Sequence, residues 1–153
     1  MHVGTFTWKE LMTEDSWAEQ RRKNAAARSD LLRRQAEAES QTASAYLRAF
    51  AAGARAAGLQ PEPLVVTKPG TSRKARTPIT GWYLKEDRSV GVDEDGNFYL
   101  LTAPLSLMES LRGVAPEPSA PPLVLGKGGR DGESVDLIDA LTKRVPNWRA
   151  FER

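Results

Sequence analysis

The chain contains no cysteine. That absence excludes a disulfide framework, thiolate nucleophiles and zinc–sulfur sites. Histidine is nearly absent too: His2 is the only one, and no evident partner stands near it in sequence for a catalytic or metal role. Without cysteine or an internal histidine, Ser-His-Asp and Cys-His mechanisms are excluded in their ordinary forms. No run approaches the roughly eighteen consecutive apolar residues that a membrane span needs. Met1 to Phe6 shows no basic region followed by an apolar core, so no secretory signal is expected and the cytoplasm is the expected compartment. Neither sign of charge dominates. Lys and Arg number 22 against 20 Asp and Glu, a net charge of +2 with a pI near 9.0. Such a balance permits an anionic partner without demanding one.

What is present is an architecture. A length of 153 residues fits one domain, or one small domain with an appendage. The apolar fraction of 40% can fill a core, but the apolar residues are unevenly placed. The abundance of Ala, and of Arg over Lys, suggests a GC-rich coding genome.

From Trp17 to Ala57 the chain has no proline and no glycine except Gly53, and Gly58 and Pro61 close the run. It reads as one long helix with two unlike halves. The amino half is crowded with charge, from Glu19, Arg21, Arg22 and Lys23 to Arg33, Arg34, Glu37 and Glu39. In the carboxyl half Ala43, Tyr46, Leu47, Phe50, Ala51, Ala54 and Ala57 follow the 3.6-residue period. A helix apolar along half its length buries only that half in its own domain. Upstream, Trp17, Leu31 and Leu32 are the large apolar residues. No sustained heptad runs through them, so a long dimeric coiled coil is not supported. Ahead of this helix, Thr7 and Glu10 match a capping box with Phe6 and Leu11 as its staple, predicting a short helix from about Trp8 to Met12. Thr13 to Ser16 then read as a break, with Ser16 and Glu19 as a second capping box.

Pro61 to Thr67 reads as a short edge strand. Lys68 to Pro78 is rich in turn formers and carries Lys68, Arg73, Lys74 and Arg76 with no acid; it reads as a mobile basic loop. Gly81 to Lys85, Ser89 to Val92 and Asn97 to Thr102, joined by short turns, predict a three-stranded antiparallel meander. Tyr46, Leu47 and Phe50 are expected to cover it, against Trp82 or Tyr83, Val90 or Val92 and Phe98 or Tyr99. Pro104 is expected to open a brief helix ended by Gly113. Val114 to Pro122 is a proline-rich linker, Leu123 to Leu125 a last strand, and Ser134 the start of a helix stopped by Pro146. The fold class is therefore α+β: a long amino-terminal helix packed on a small antiparallel meander, with a carboxyl-terminal strand–loop–helix. The division in sequence is residues 1–60, helical, and 61–153, α+β.

Three motifs invite chemistry, and each has a plainer reading. The glycine-rich turn could hold an anion on Lys127, Gly128, Gly129 and Arg130. The Walker and dinucleotide patterns both fail there, and Asp131, Glu133 and Asp136 put negative charge where a phosphate would sit. Asp93 to Asn97 resembles a calcium loop only in its first residues and lacks the bidentate glutamate; a hairpin turn explains it. Arg21, Arg22 and Lys23, with Arg73, Lys74 and Arg76, could contact phosphates, although no aromatics are interleaved for stacking on single strands. Solvated surface charge is the plainer account. Gly81-Trp-Tyr-Leu84, Val92-Asp-Glu-Asp-Gly-Asn-Phe-Tyr99 and Pro122-Leu-Val-Leu-Gly-Lys-Gly-Gly-Arg-Asp-Gly-Glu-Ser134 together resemble small uncharacterised proteins of actinobacteria and their mobile elements, over roughly residues 79 to 145. The resemblance implies no activity and carries over no site residues. The expectation is a protein that is not an enzyme and uses no cofactor or metal. Its partner is expected to be a protein or a second copy, bound through Trp17, Leu31 and Leu32, with nucleic acid as the alternative and no membrane.

Overall fold

The computed structural model describes residues 14–126 and 134–153. The expected helix from Trp8 to Met12, with its capping box and staple, lies outside them, as do His2 and residues 127 to 133 of the glycine-rich turn. The chain divides into two compact units, Met1–Ala38 and Glu39–Arg153.

The long helix, α1, runs unbroken from Glu14 to Ala56. The expected break ahead of Trp17 is absent, since Glu14, Asp15 and Ser16 are already helical. The two acids in the first turn are favoured by the helix dipole, and a serine inside a helix costs only a few tenths of a kcal/mol relative to better formers. Ser16 is therefore an interior residue and not a cap.

In the second unit four strands form one antiparallel sheet in chain order: β1 (Glu62–Thr67), β2 (Lys74–Tyr83), β3 (Val90–Asp93) and β4 (Phe98–Leu100). The meander thus has one strand more than expected, because β2 begins at Lys74. Thr67, Val66 and Val65 pair with Lys74, Ala75 and Arg76. Ala75 is buried, which supplies the apolar anchor that the basic stretch was expected to lack. Only Lys68 to Arg73 remain a turn, closed by hydrogen bonds from Lys68 N–H to the Arg73 carbonyl and from Thr71 N–H to the Lys68 carbonyl. Pro63 sits on the edge strand β1, where the register shifts before Val65, in keeping with proline's missing donor.

Both faces of the sheet are covered. On one face Leu47 and Phe50 of α1 meet Trp82, Leu84, Val90, Val92 and Phe98, as the stripe of the helix anticipated. The Phe50 and Trp82 rings meet edge to face at 5.9 Å. Tyr46 departs from expectation in its partner, stacking edge to face on Trp148 at 5.4 Å. Tyr83 and Tyr99 point the other way, into a second core with Leu64, Val66, Ala75, Leu101 and Leu105. Strand alternation dictates this split.

The remaining elements close the edges. The short helix α2 (Leu107–Arg112) starts at Ser106, two residues later than expected, because Ser106 and Glu109 form a complete capping box and Leu105 is drawn into the second core. This helix is inverted. Leu107, Met108 and Leu111 are exposed, while Ser110 donates to the Lys74 carbonyl at 2.5 Å, and Val114 N–H, just past the helix, donates to that of Arg76. β5 (Val124–Leu125) pairs antiparallel with β6 (Val135–Asp136), so the helix expected from Ser134 begins only at Leu137. That helix, α3 (Leu137–Arg144), buries Leu137, Ala140 and Leu141. A 3₁₀ turn, Trp148–Phe151, was not foreseen. Its Trp148 is fully buried. Gly53 lets it approach α1, since a Cβ there would stand 3.3 Å from the Trp148 Cα and 3.2 Å from the Phe151 ring.

Candidate partner-binding surface

The amino half of α1, residues 14–38, is helical for local reasons. It is rich in alanine and has neither proline nor glycine, and ion pairs one turn apart reinforce it. Glu19 pairs with Lys23 at 3.7 Å. Asp30 pairs with Arg34 at 2.9 Å and also with Arg33. Gln20 Nε2 donates to Asn24 Oδ1 at 3.2 Å. All these pairs are exposed and individually weak.

Trp17, Leu31 and Leu32 are exposed by 55, 56 and 58%. At about 100° per residue, Leu31 lies about 40° to one side of Trp17 and Leu32 about 60° to the other, so the three share a stripe about 100° wide and span roughly 22 Å of helix. Arg21, Asn24 and Arg28 fall on the same stripe between them, and Ala25 lies just beside it. A shallow groove is lined there by Arg21, Asn24, Ala25, Arg28, Ser29 and Leu32, its floor set by the short side chains at 25 and 29. Arg21 and Arg28 have no ion pair among the described residues, unlike Lys23, which Glu19 holds. Arg22 and Lys23 sit on other faces by the same helical geometry.

The second basic group stands apart in character. Lys74 and Arg76 are strand residues, and Arg73 donates through Nη1 to the Leu105 carbonyl at 3.1 Å. Lys127, Gly128, Gly129 and Arg130 lie outside the described residues. The acidic turn at Asp93 is closed on itself. Asp93 Oδ1 accepts from the Asp95 and Asn97 N–H groups, and Oδ2 accepts from Asn97 Nδ2 and the Tyr99 hydroxyl. Burial first, and then this bond to Asp93, push the Tyr99 hydroxyl up to about 12. Gly96 completes the turn with φ of +89°, a conformation natural to glycine. Among the described residues no cluster of acidic or histidine side chains is arranged to hold a metal, and no helix is long and apolar enough to cross a membrane.

The sequence reading named Trp17, Leu31 and Leu32 but passed over Ala25, Arg28 and Ser29. Their signal is a spacing, 21-25-28-32, which carries no apolar periodicity because two of the four positions are arginine. Comparison with family models, with curated protein sequences and with solved structures gives no match to this chain.

Proposed function

We propose that this chain is a non-catalytic protein-interaction or scaffold protein of the cytoplasm, working through the amino half of α1, with Trp17, Leu31 and Leu32 as its apolar anchors. The observation that carries the reading is the exposure of three large apolar side chains on one stripe of a helix segment with no buried residue among positions 14–38. Large apolar groups in the open are the usual centres of binding energy, and a helix presenting them at helical spacing suits a groove or a second helix. Support also comes from the rest of the chain. The candidate acidic turn is used up by its own hydrogen bonds, and the other exposed apolar group among the described residues, Leu107, Met108 and Leu111, sits on a helix of only six residues.

The competing account assigns binding to Arg21, Arg22, Lys23, Arg73, Lys74 and Arg76 acting on nucleic acid. The two accounts separate in one affinity capture from cytosol with the tagged full chain. On the present reading Leu31→Asp with Leu32→Asp abolishes capture, and raised salt leaves most of it in place. Capture that survives the double substitution but is lost in high salt would overturn the proposal in favour of phosphate contacts.

A further inference from the structure

The short helix α2 carries its apolar residues on the outside. Leu107, Met108 and Leu111 are 62, 59 and 70% exposed. At about 100° per residue they form a ridge about 100° wide, and Ser110, which binds β2, lies to one side of it. Arg112 falls about 40° beyond Met108 on the opposite flank, and Glu109 about 150° from the middle of the ridge. The glutamate is also occupied, since its carboxylate accepts from Ser106 N–H at 2.9 Å. The surroundings are basic. Lys74 and Arg76 are exposed on β2. Their carbonyls accept from Ser110 Oγ at 2.5 Å and from Val114 N–H at 2.9 Å, which fixes this stretch of strand beside α2. Arg73 donates to the Leu105 carbonyl, just ahead of the helix, at 3.1 Å. Residues 68–80 and 102–116 together hold five basic residues and one acid, Glu109. None of the five has an ion pair among the described residues.

A protruding apolar ridge with unpaired positive charge beside it narrows its occupant. A second copy docked through the same face would set these basic residues against themselves. A nucleic acid would answer the charge but leave two leucines and a methionine against phosphate. A groove on a partner protein grips a helix through anchors spread over two turns or more, and α2 has six residues. A bilayer surface asks for neither length nor a matching shape, and anionic headgroups answer the charge. We infer that α2 is a membrane-contacting element: its ridge enters the headgroup–acyl boundary of an anionic bilayer, while Lys74, Arg76 and Arg112 lie on the lipid phosphates. Contact of this kind needs no spanning helix. Three apolar side chains and a few charges make it weak, reversible and sensitive to salt. It goes beyond the function proposed above and does not depend on it, because the contact belongs to the other compact unit.

The test is co-sedimentation of the full chain with vesicles, of phosphatidylcholine alone and of phosphatidylcholine mixed equally with phosphatidylglycerol. Binding is expected to the mixed vesicles, and little to phosphatidylcholine. Lys74→Gln and Arg76→Gln should each weaken it about fivefold. Leu107→Ser, Met108→Ser and Leu111→Ser together leave the charge unchanged and should weaken it at least about tenfold. An unchanged thermal midpoint shows that these variants are folded. Because the chain has no native cysteine, an environment-sensitive dye on Met108→Cys gives a second readout that does not depend on the triple variant. Its emission should shift to the blue on the mixed vesicles. A chain that leaves both vesicle types in the pellet without it overturns the inference, as does binding indifferent to phosphatidylglycerol, or a dye that reports water throughout. Binding of polyglutamate or of a duplex oligonucleotide through Lys74 and Arg76, with none to the mixed vesicles, assigns the basic residues to another polyanion and also overturns it. Leu31→Asp with Leu32→Asp should leave vesicle binding unchanged, so this inference and the proposed function can fail separately.

Discussion

The two halves of α1 are the same helix made by different means. From Ala43 to Ala54 the helix is fixed by what it touches: Leu47 and Phe50 are fully buried and Trp82, Val92 and Trp148 surround them. From Glu14 to Ala38 it is fixed by what it is made of, alanines and one-turn ion pairs. Tertiary packing is worth several kcal/mol per buried aromatic, whereas an exposed pair contributes a few tenths. Losing one exposed pair therefore leaves the amino half helical, whereas losing one buried aromatic of the carboxyl half is felt by the whole fold. Freedom from packing is also what leaves Trp17, Leu31 and Leu32 available to a partner.

That contrast can be broken at several depths. The largest effect falls on Phe50→Ala, which should cost about 3–5 kcal/mol, the usual loss for a buried aromatic; a chemical-denaturation midpoint unmoved by it would mean that the helix is not anchored by this stripe. Asp93→Ala comes next. It leaves two backbone N–H groups and the Tyr99 hydroxyl without their acceptor and should cost about 2 kcal/mol in the same measurement. Ser106→Ala removes the capping box of α2, for a loss of about 1 kcal/mol, and it should free the edge that Ser110 covers on β2.

A smaller effect is confined to alkali. The Tyr99 hydroxyl is raised to about 12 by burial and by Asp93, against about 10 for a tyrosine in an unfolded chain. The native state therefore holds a proton that the unfolded state gives up. The contribution is complete below pH 10 and is lost as the pH climbs from about 10 to about 12. Stability curves of the parent and of Tyr99→Phe should differ in slope across that interval and run parallel below it. The smallest effect belongs to the other half of α1: Leu31→Asp with Leu32→Asp should change the denaturation midpoint by no more than about 0.5 kcal/mol. A large loss would mean that these leucines are part of a core.

Much of this was legible from residue order. The period of Leu47, Phe50 and Ala54 marked the buried face of the helix, because burial on a regular element leaves a regular trace, while the choice of Trp82 over Tyr83 and of Phe98 over Tyr99 came only with the structure. Where burial is carried by one small residue the trace disappears. Ala75 alone, among Lys74, Arg76 and Arg73, could not announce a strand. The 3₁₀ turn at Trp148 is four residues long and depends on Gly53, about a hundred residues earlier in the chain. Helix α2 misled in the opposite way, since its apolar residues face outward and its serine faces in. Of the proposed binding surface, the three exposed apolar residues were legible. The groove between them was not, because a hole is defined by small side chains and by spacing, and neither registers as hydrophobicity.

Amide hydrogen exchange along α1 in the dilute full chain tests the central contrast most directly. The account predicts slow exchange from Ala43 to Ala54, set by global unfolding, and fast exchange from Trp17 to Ala38, set by local opening of a helix that nothing covers. Protection from Trp17 to Ala38 as strong as that from Ala43 to Ala54 in the dilute chain would contradict it.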